Sequence, residues 1–173
     1  MKNILKLTLA AVALLVISCA SNVSAQKLGY IASNELLQAM PETAQVQTSL
    51  MELEKELGTI FDSKRVEYNK KADDYQNSLS TMSEGIRKTK LAELEKLGAE
   101  LESFATEAET TLTDEQRTLM EPIVKRATEA IETVAKAQGV TVVFDLAYPS
   151  IVYYDKANMV DLLPLVKQQL GIK

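Results

Sequence analysis

Residues 94–108 read LEKLGAELESFATEA, and this stretch decides the fold because its apolar residues recur at alternating steps of three and four. The alternation is typical of a coiled coil, in which each apolar residue faces a partner helix. The same spacing occurs earlier in the chain, at Leu50, Leu53, Leu57 and Ile60, and then at Tyr68, Ala72, Tyr75, Leu79, Met82 and Ile86. The sequence therefore predicts two long helices that pack against each other.

A polar segment separates the two periodic runs. Residues 77–85 read NSLSTMSEG, which is rich in serine and ends in glycine, a composition that favours a turn. We expect the chain to reverse near residues 80–85, so that residues 42–121 form an antiparallel hairpin arm with its tip there. At 1.5 Å per residue, each helix would be on the order of 55–80 Å long.

The segment before the arm predicts a strand and a short helix. Lys27–Ile31 reads KLGYI and has the composition of a strand. Ser33 is suited to cap a short helix after it. Pro41 suits the first turn of the next helix, and Glu42 suits the positive end of that helix. On the return, Pro122 lies within an apolar period that continues beyond it, which predicts a kink rather than an end.

The segment after the arm predicts two strands and a last helix. Val140–Leu146 and Ile151–Tyr154 are rich in β-branched and aromatic residues. We expect them to form a β-hairpin through a turn at residues 148–150. Asn158 and Asp161 resemble a capping pair at the start of the last helix.

These elements predict an α+β fold that is mostly α, in the order β-α-α-α-β-β-α. A long antiparallel coiled-coil hairpin, residues 42–121, would stand on a small β-containing base made of residues 26–41 and 122–173. Three short strands cannot form a stable core of much size alone, so we expect the base to form an oligomer. The candidate oligomerisation residues are the apolar strand residues Leu28, Tyr30, Val142, Phe144, Ile151 and Tyr153.

The first 25 residues are predicted to be an export signal. Lys2 and Lys6 precede the apolar run Leu7–Ile17, which is too short to anchor the chain in a membrane. Two cleavage sites compete. Val23-Ser24-Ala25 suits ordinary signal cleavage after Ala25, which would release the protein into the periplasm, and we favour this site because the first strand begins soon after it. The residues before Cys19 also resemble a lipoprotein box, whose signal would end at residue 18 and leave Cys19 lipidated.

The composition argues against an enzyme and against nucleic-acid binding. The chain has no His, no Trp and one Cys, so most side chains used in catalysis and metal binding are missing. The net charge is −5, and it is −7 for residues 26–173 because the signal carries two lysines and no acid. Such a charge opposes binding to nucleic acid. We expect no cofactor and no metal, and we interpret Asp145 as a turn residue rather than a catalytic group.

Charge divides the arm into two sections. Residues 64–90 hold seven basic and four acidic residues, whereas residues 91–121 hold two basic and nine acidic residues. One interpretation is a solvated coiled coil whose charges are segregated by chance. The other is an arm whose basic outer section meets acidic clients, or makes a peripheral contact with a membrane at its tip. The candidate client-binding residues are then Tyr68, Tyr75, Leu79, Met82, Ile86, Lys70, Lys71, Arg87, Lys88 and Lys90.

The layout resembles the Skp/OmpH family of periplasmic chaperones over essentially all of residues 27–173. The resemblance is carried by Leu28-Gly29-Tyr30-Ile31, Leu36-Leu37-x-x-Met40-Pro41-Glu42, Glu121-Pro122-Ile123, Ala130-Ile131-x-x-Val134-Ala135, Gly139-Val140-x-Val142-Val143-Phe144-Asp145 and Tyr153-Tyr154. It implies a homotrimer whose base strands join and whose three arms surround a cavity. It also implies an ATP-independent holdase that keeps unfolded outer-membrane proteins in that cavity.

One departure from the family and one alternative function accompany the resemblance. Familiar members of the family are strongly basic, whereas this chain is acidic, which puts binding of lipopolysaccharide or anionic membranes by its body in doubt. The alternative is a structural or adaptor coiled-coil protein of the envelope, which docks one folded partner by its hairpin and is lipid-anchored through Cys19.

Overall fold

The computed structural model describes residues 26–148 and 151–172. The predicted export signal, Cys19, and the predicted turn residues Pro149 and Ser150 lie outside the described residues. The elements in chain order are strand β1 (Lys27–Ile31), helices α1 (Ser33–Ala39), α2 (Pro41–Ser78) and α3 (Glu84–Ala137), strand β2 (Val140–Asp145), a 3-10 turn (Lys156–Asn158), strand β3 (Met159–Asp161) and helix α4 (Leu163–Leu170). This order confirms the predicted fold class.

β1 is the central strand of a three-stranded sheet whose order is β2-β1-β3, and both neighbours run parallel to it. Leu28 lies opposite Val142 and Tyr30 lies opposite Phe144. Because side chains alternate along a strand, these four residues share one face of the sheet. Ile31 points to the other face, where it is 2% exposed. The sheet therefore has a core face and an outer face.

The predicted β-hairpin is wrong. Ile151–Tyr154 is not a strand, and the third strand is Met159–Asp161 instead. The physical reason is the parallel topology, because two parallel strands cannot be joined by a tight turn and need a crossover of a dozen or more residues. Thirteen residues, 146–158, separate the two strands, which is enough for such a crossover. The high β-propensity of Ile151–Tyr154 therefore does not lead to strand pairing within the part of the chain that the structure describes.

Two predicted helix caps are also corrected. The residue before α1 is Ala32, and the Ser33 hydroxyl instead donates to Asp145 Oδ2 at 2.6 Å. Asn158 does not begin the last helix, since it closes the 3-10 turn and donates to Asp155. The last helix starts only at Leu163. The first prediction failed because Ser33 has a partner far away in the chain, and the second because Asn158 belongs to a local 3-10 turn.

The compact core lies in the base, between the core face of the sheet and the helices. The side chains that are almost fully buried are Ile31, Leu36, Met40, Leu162 and Val166. Helix α3 adds small and β-branched residues to the same cluster, namely Ile123, Ala127, Ala130, Val134 and Ala135. α3 continues through Pro122 without ending, so one helix belongs both to the arm and to the core.

The arm has no comparable core. Residues 79–83 connect α2 to α3. Between residues 47 and 122, no side chain is fully buried; most seam residues are half-buried, and Ile60 and Ile86 are exposed. An antiparallel pair of helices has one shared seam, and solvent reaches the rest of each helix. The arm therefore depends on a single line of contacts along its length.

Candidate functional site

Contacts between α2 and α3 hold the arm together at several levels. At 1.5 Å per residue, the 38 residues of α2 span about 57 Å and the 54 residues of α3 about 81 Å. The Lys64 ammonium lies 5.7 Å from the centroid of the Phe104 ring. Nearer the tip, Lys71 forms an ion pair with Glu93. Exposed pairs of this kind contribute at most about 1 kcal/mol. These polar contacts therefore add little to the stability of the pairing between the two helices.

The apolar client-binding candidates occupy the seam more than the surface. Tyr68, Tyr75, Leu79 and Met82 are half-buried, whereas Ile86 is 52% exposed. The spacing that identified the first four residues also directs them toward the partner helix, which explains their partial burial. The outer edges of these four side chains, together with Ile86, remain in contact with solvent.

The basic candidates form two groups in the outer section of the arm. Lys71 donates to Glu93, and this hydrogen bond raises the pKa of Lys71 and lowers the pKa of Glu93. Arg87 donates to the backbone oxygen of Leu79 at 3.2 Å and so ties α3 to the end of α2, while Lys88 is exposed nearby. A shallow hollow of about 340 Å³ brings together Lys70, Lys71, Lys90, Glu67, Asp74 and Glu93. Lysines and carboxylates alternate there, so the hollow is not a purely basic patch.

The oligomerisation candidates on the strands form one apolar surface. Val142 and Phe144 are 45% and 37% exposed, and they lie beside the half-buried Leu28 and Tyr30 on the outer face of the sheet. Strand residues with this pattern are suited to burial against another surface, because each leaves apolar area in contact with water.

The crossover segment partly covers the outer face. Its Tyr154 ring lies 5.3 Å from the Tyr30 ring, and burial, followed by the nearby charge of Asp161, raises the pKa of Tyr30. Ile151 is half-buried and Tyr153 is 83% exposed. An apolar hollow of about 360 Å³ remains between this segment and the sheet.

Sequence reasoning missed two features. The first is the exposure of Val152 and Tyr148 on the crossover, which leaves a loop with large apolar side chains in water. The sequence predicts Val152 in a paired strand and Tyr148 in the turn before it, so neither is expected to add to an unpaired apolar surface. The second is a hollow of about 430 Å³ at the root of the arm, beside Met40 and Pro122. The sequence predicts only a helix start at Pro41, next to Met40, and a kink at Pro122, and neither indicates a hollow.

Neither a metal site nor a membrane-spanning helix is found in the part of the chain that the structure describes. Over residues 26–148 and 151–172, no group of three or more His, Cys, Asp or Glu residues is placed to hold a metal ion. Within the same ranges, no helix is both long enough and apolar enough to cross a bilayer. Asp145 is part of a structural link, since it accepts hydrogen bonds from Ser33 and from the Ala147 backbone.

A small parallel sheet that carries a long helical hairpin defines a recognisable class of fold. A crystal structure from Caulobacter crescentus CB15, described as a candidate outer membrane chaperone (OmpH-like), has this fold with a TM-score of 0.69. Sequence identity is 12%, and 86% of each chain is covered, so the likeness establishes the fold.

The family follows from the sequence. The model of the family described as outer membrane protein (OmpH-like) matches residues 27–170. The chain therefore belongs to the OmpH-like family, which confirms the predicted relationship. The search of curated proteins found no match.

Proposed function

We propose that this protein is an ATP-independent periplasmic holdase, which binds unfolded outer-membrane proteins in a cavity between the helical arms of a homotrimer. The observation that carries the proposal is the arm itself. It is tens of ångströms long, yet no side chain between residues 47 and 122 is fully buried. Membership of the OmpH-like family supports the same function.

The arm has the properties that weak and general binding needs. Its half-buried seam residues offer apolar edges without a rigid pocket, and Met82 adds a flexible, polarizable side chain. Many weak contacts along several arms would hold a chain by multivalency while each contact stays short-lived. The basic residues of the outer section would also raise the rate of encounter with acidic clients.

The outer face of the sheet supports assembly. Val142 and Phe144 expose apolar area that a second copy of the base would cover. A trimer then places three arms around one space, whereas a single arm encloses nothing. The candidate face consists of Leu28, Tyr30, Val142, Phe144, Ile151 and Tyr153.

An aggregation assay tests the holdase function. A urea-unfolded outer-membrane β-barrel protein is diluted into buffer without nucleotide, and light scattering is followed. We expect about one trimer per client to suppress the scattering. Unchanged scattering at several-fold excess would contradict the proposal. Capture from envelope extract distinguishes the alternative, because one stoichiometric folded partner would favour the adaptor and a mixture of barrel precursors would favour the chaperone.

A matched pair of variants tests the assembly. Val142→Asp should dissociate the oligomer, because a charge at a packed strand position is costly to bury. Val124→Asp is the control, since Val124 has almost the same exposure, 44% against 45%, but lies on α3. Solution mass by light scattering should fall for the first variant and stay at three copies for the second. A native mass for Val142→Asp would refute the assigned interface.

A further inference from the structure

The apolar seam of the arm is interrupted on α3. Its steps of three and four residues reach Leu112 and resume only at Leu119. The regular seam position between these two leucines is held by Glu115, where the pattern calls for an apolar residue. All of residues 113–118 are exposed, whereas at most three consecutive residues are exposed anywhere between residues 90 and 112. Residues 113–118 therefore form a seam gap.

The contacts on either side of the seam gap show which part of α2 lies opposite it. Toward the tip, the Lys64 ammonium lies over the Phe104 ring, and at the root of the arm Glu42 pairs with Arg126. Because the two helices are antiparallel and rise equally per residue, the level midway between these contacts places Leu53 of α2 opposite the middle of the gap. At this level α2 presents the half-buried Leu53, whereas α3 presents only exposed residues. Apolar packing between the two helices is therefore weakest here.

Both helices are also intrinsically weak near the seam gap. Four threonine hydroxyls of α3 donate to the backbone oxygen four residues earlier, at 2.8–2.9 Å, namely those of Thr110, Thr111, Thr113 and Thr118. Such bonds compete with the hydrogen bonds of the helix and tend to bend it. On α2, a Cβ added at Gly58 would meet nothing within 4 Å, so no close packing requires this glycine. Glycine inside a helix weakens it, because the unfolded backbone has more freedom to lose.

The ion pairs of the arm do not reinforce this level. Arg117, within the seam gap, pairs with Asp114 of the same helix. Among the described residues, the ion pairs that join α2 to α3 lie on either side of the gap, namely Lys71–Glu93 and Glu42–Arg126. The gap thus combines a missing apolar contact, two weak helical segments and a lack of bridging charge.

We infer that the arm has a hinge at the level of the seam gap, and the role of this hinge rests on the proposed holdase function. The outer part of each arm swings about the gap as one body, while the inner part stays fixed to the base. The root of the arm is less suited to such motion, because Ile123 and Ala127 of α3 are 6% and 4% exposed in the core. Bending at the gap separates the tips of neighbouring arms and widens the cavity for a larger client.

Hydrogen exchange followed by mass spectrometry locates the hinge in the absence of any client. Peptides that cover the seam gap should exchange about tenfold faster than peptides that cover residues 94–108, because a helix opens where its packing is weakest. Glu115→Leu restores the apolar seam position and should slow exchange in the gap by about tenfold. Glu95→Leu is the control, since Glu95 is also an exposed glutamate of α3 but lies where the seam is continuous. Equal exchange in the two regions, or unchanged exchange in Glu115→Leu, would overturn the hinge.

Distances between the arms show whether this opening bends them. Ser80→Cys places one spin label at the tip of each arm, since residues 26–173 contain no cysteine of their own. Double electron–electron resonance should give a broad distribution of tip-to-tip distances for the wild-type background and for Glu95→Leu, and a narrower one for Glu115→Leu. Circular dichroism and solution mass should match in all three proteins. Equal widths in all three would contradict bending at the gap.

Client size separates the hinge from the holdase function. A small and a large outer-membrane β-barrel protein are each unfolded in urea and diluted into the assay. Glu115→Leu should protect the small client as well as the wild type does. It should need about tenfold more protein for the large client, because fewer arms are open. Equal protection of the large client by both proteins would overturn the role of the hinge. Failure of the wild type with both clients would contradict the holdase function, while the exchange rates would still decide the hinge.

Discussion

The base and the arm of this protein keep their shape by different means. In the base, residues from every helix and from the sheet surround side chains such as Leu36 and Leu162, each 0% exposed. In the arm, two helices share one seam, and none of its residues is fully buried between residues 47 and 122. Burial from many directions fixes one arrangement, whereas a single seam leaves most of each helix in contact with water. The same chain thus combines a rigid support with an adaptable surface.

The largest effect is expected from truncation in the base. Leu36→Ala should lower the free energy of unfolding by about 2–5 kcal/mol, because it leaves a cavity in a closely packed core. Leu97→Ala is the control in the arm, where Leu97 is half-buried and solvent can fill the space. Urea denaturation of both variants measures the difference. An equal or larger loss for Leu97→Ala would show that the arm is packed as tightly as the base.

The link between β2 and α1 should have the next largest effect. Asp145 accepts the Ser33 hydroxyl at 2.6 Å, the Ser33 N–H at 3.1 Å and the Ala147 N–H at 3.0 Å. Asp145→Ala should therefore cost about 1–3 kcal/mol of unfolding free energy at neutral pH. Asp155→Ala, which affects only the exposed 3-10 turn, is the control and should cost less.

Acid should reduce the contribution of Asp145. Burial by itself would raise the pKa of this carboxyl, but the hydrogen bonds from Ser33 and Ala147 outweigh it and bring the pKa below the ordinary value of 3.8. A lower folded-state pKa means that the stabilisation is complete at neutral pH, declines as the pH falls below the unfolded value, and is lost once the folded-state pKa is passed. Urea denaturation at a series of pH values measures the difference in unfolding free energy between wild type and Asp145→Ala. This difference should become smaller as the pH falls. A difference independent of pH would rule out this linkage.

Two glycine substitutions should change stability in opposite directions. In the base, a Cβ at Gly29 would lie 3.1 Å from Val140 Cγ1 and 3.2 Å from Leu162 Cδ1, so Gly29→Ala should be destabilising. In the arm, a Cβ at Gly58 would meet nothing within 4 Å, so Gly58→Ala should stabilise the helix by about 1 kcal/mol. Thermal denaturation shows whether each variant unfolds at a lower or a higher temperature than wild type. A shift of the unfolding temperature in the same direction for both variants would contradict the difference in packing between the base and the arm.

The smallest effect on stability is expected from the lysines in the outer section of the arm, two of which are exposed and two half-buried. Reversing Lys70, Lys71, Lys88 and Lys90 to Glu should leave the oligomeric mass unchanged and lower the unfolding free energy by only about 1 kcal/mol, mainly through loss of the Lys71–Glu93 pair. It should slow capture of an acidic client by roughly tenfold at low salt, because long-range attraction is lost. Stopped-flow fluorescence measures the rate. The control reverses the same number of lysines elsewhere, namely Lys55, Lys96, Lys125 and Lys136. Equal capture rates for all three proteins would eliminate steering by the outer section.

The candidate sites were only partly predictable from the sequence. Alternating residues on Lys27–Ile31 and Val140–Asp145 correctly indicated an apolar sheet face, because side-chain alternation is a local property of strands. Ile151–Tyr154 has the same local signal, yet it is a crossover rather than a strand. For the hollow at the root of the arm, no local signal exists, because its floor combines Met40 and Val46 with Ile123 from a distant part of the chain.

The sequence by itself determined the elements whose causes are local. Steps of three and four residues determined the two long helices, and the serine-rich segment of residues 77–85 marked the place where the chain reverses. Only the tertiary structure decided the parallel order of the sheet, the partners of Ser33 and Asn158, and the partial burial of Tyr68 and Tyr75. The sheet order, the Ser33–Asp145 link and the burial of the two tyrosines depend on contacts between residues far apart in the chain, and periodicity and propensity carry no information about such contacts. The partner of Asn158, Asp155, is only three residues away, but the choice between a 3-10 turn and a helix start was not visible in the residue types.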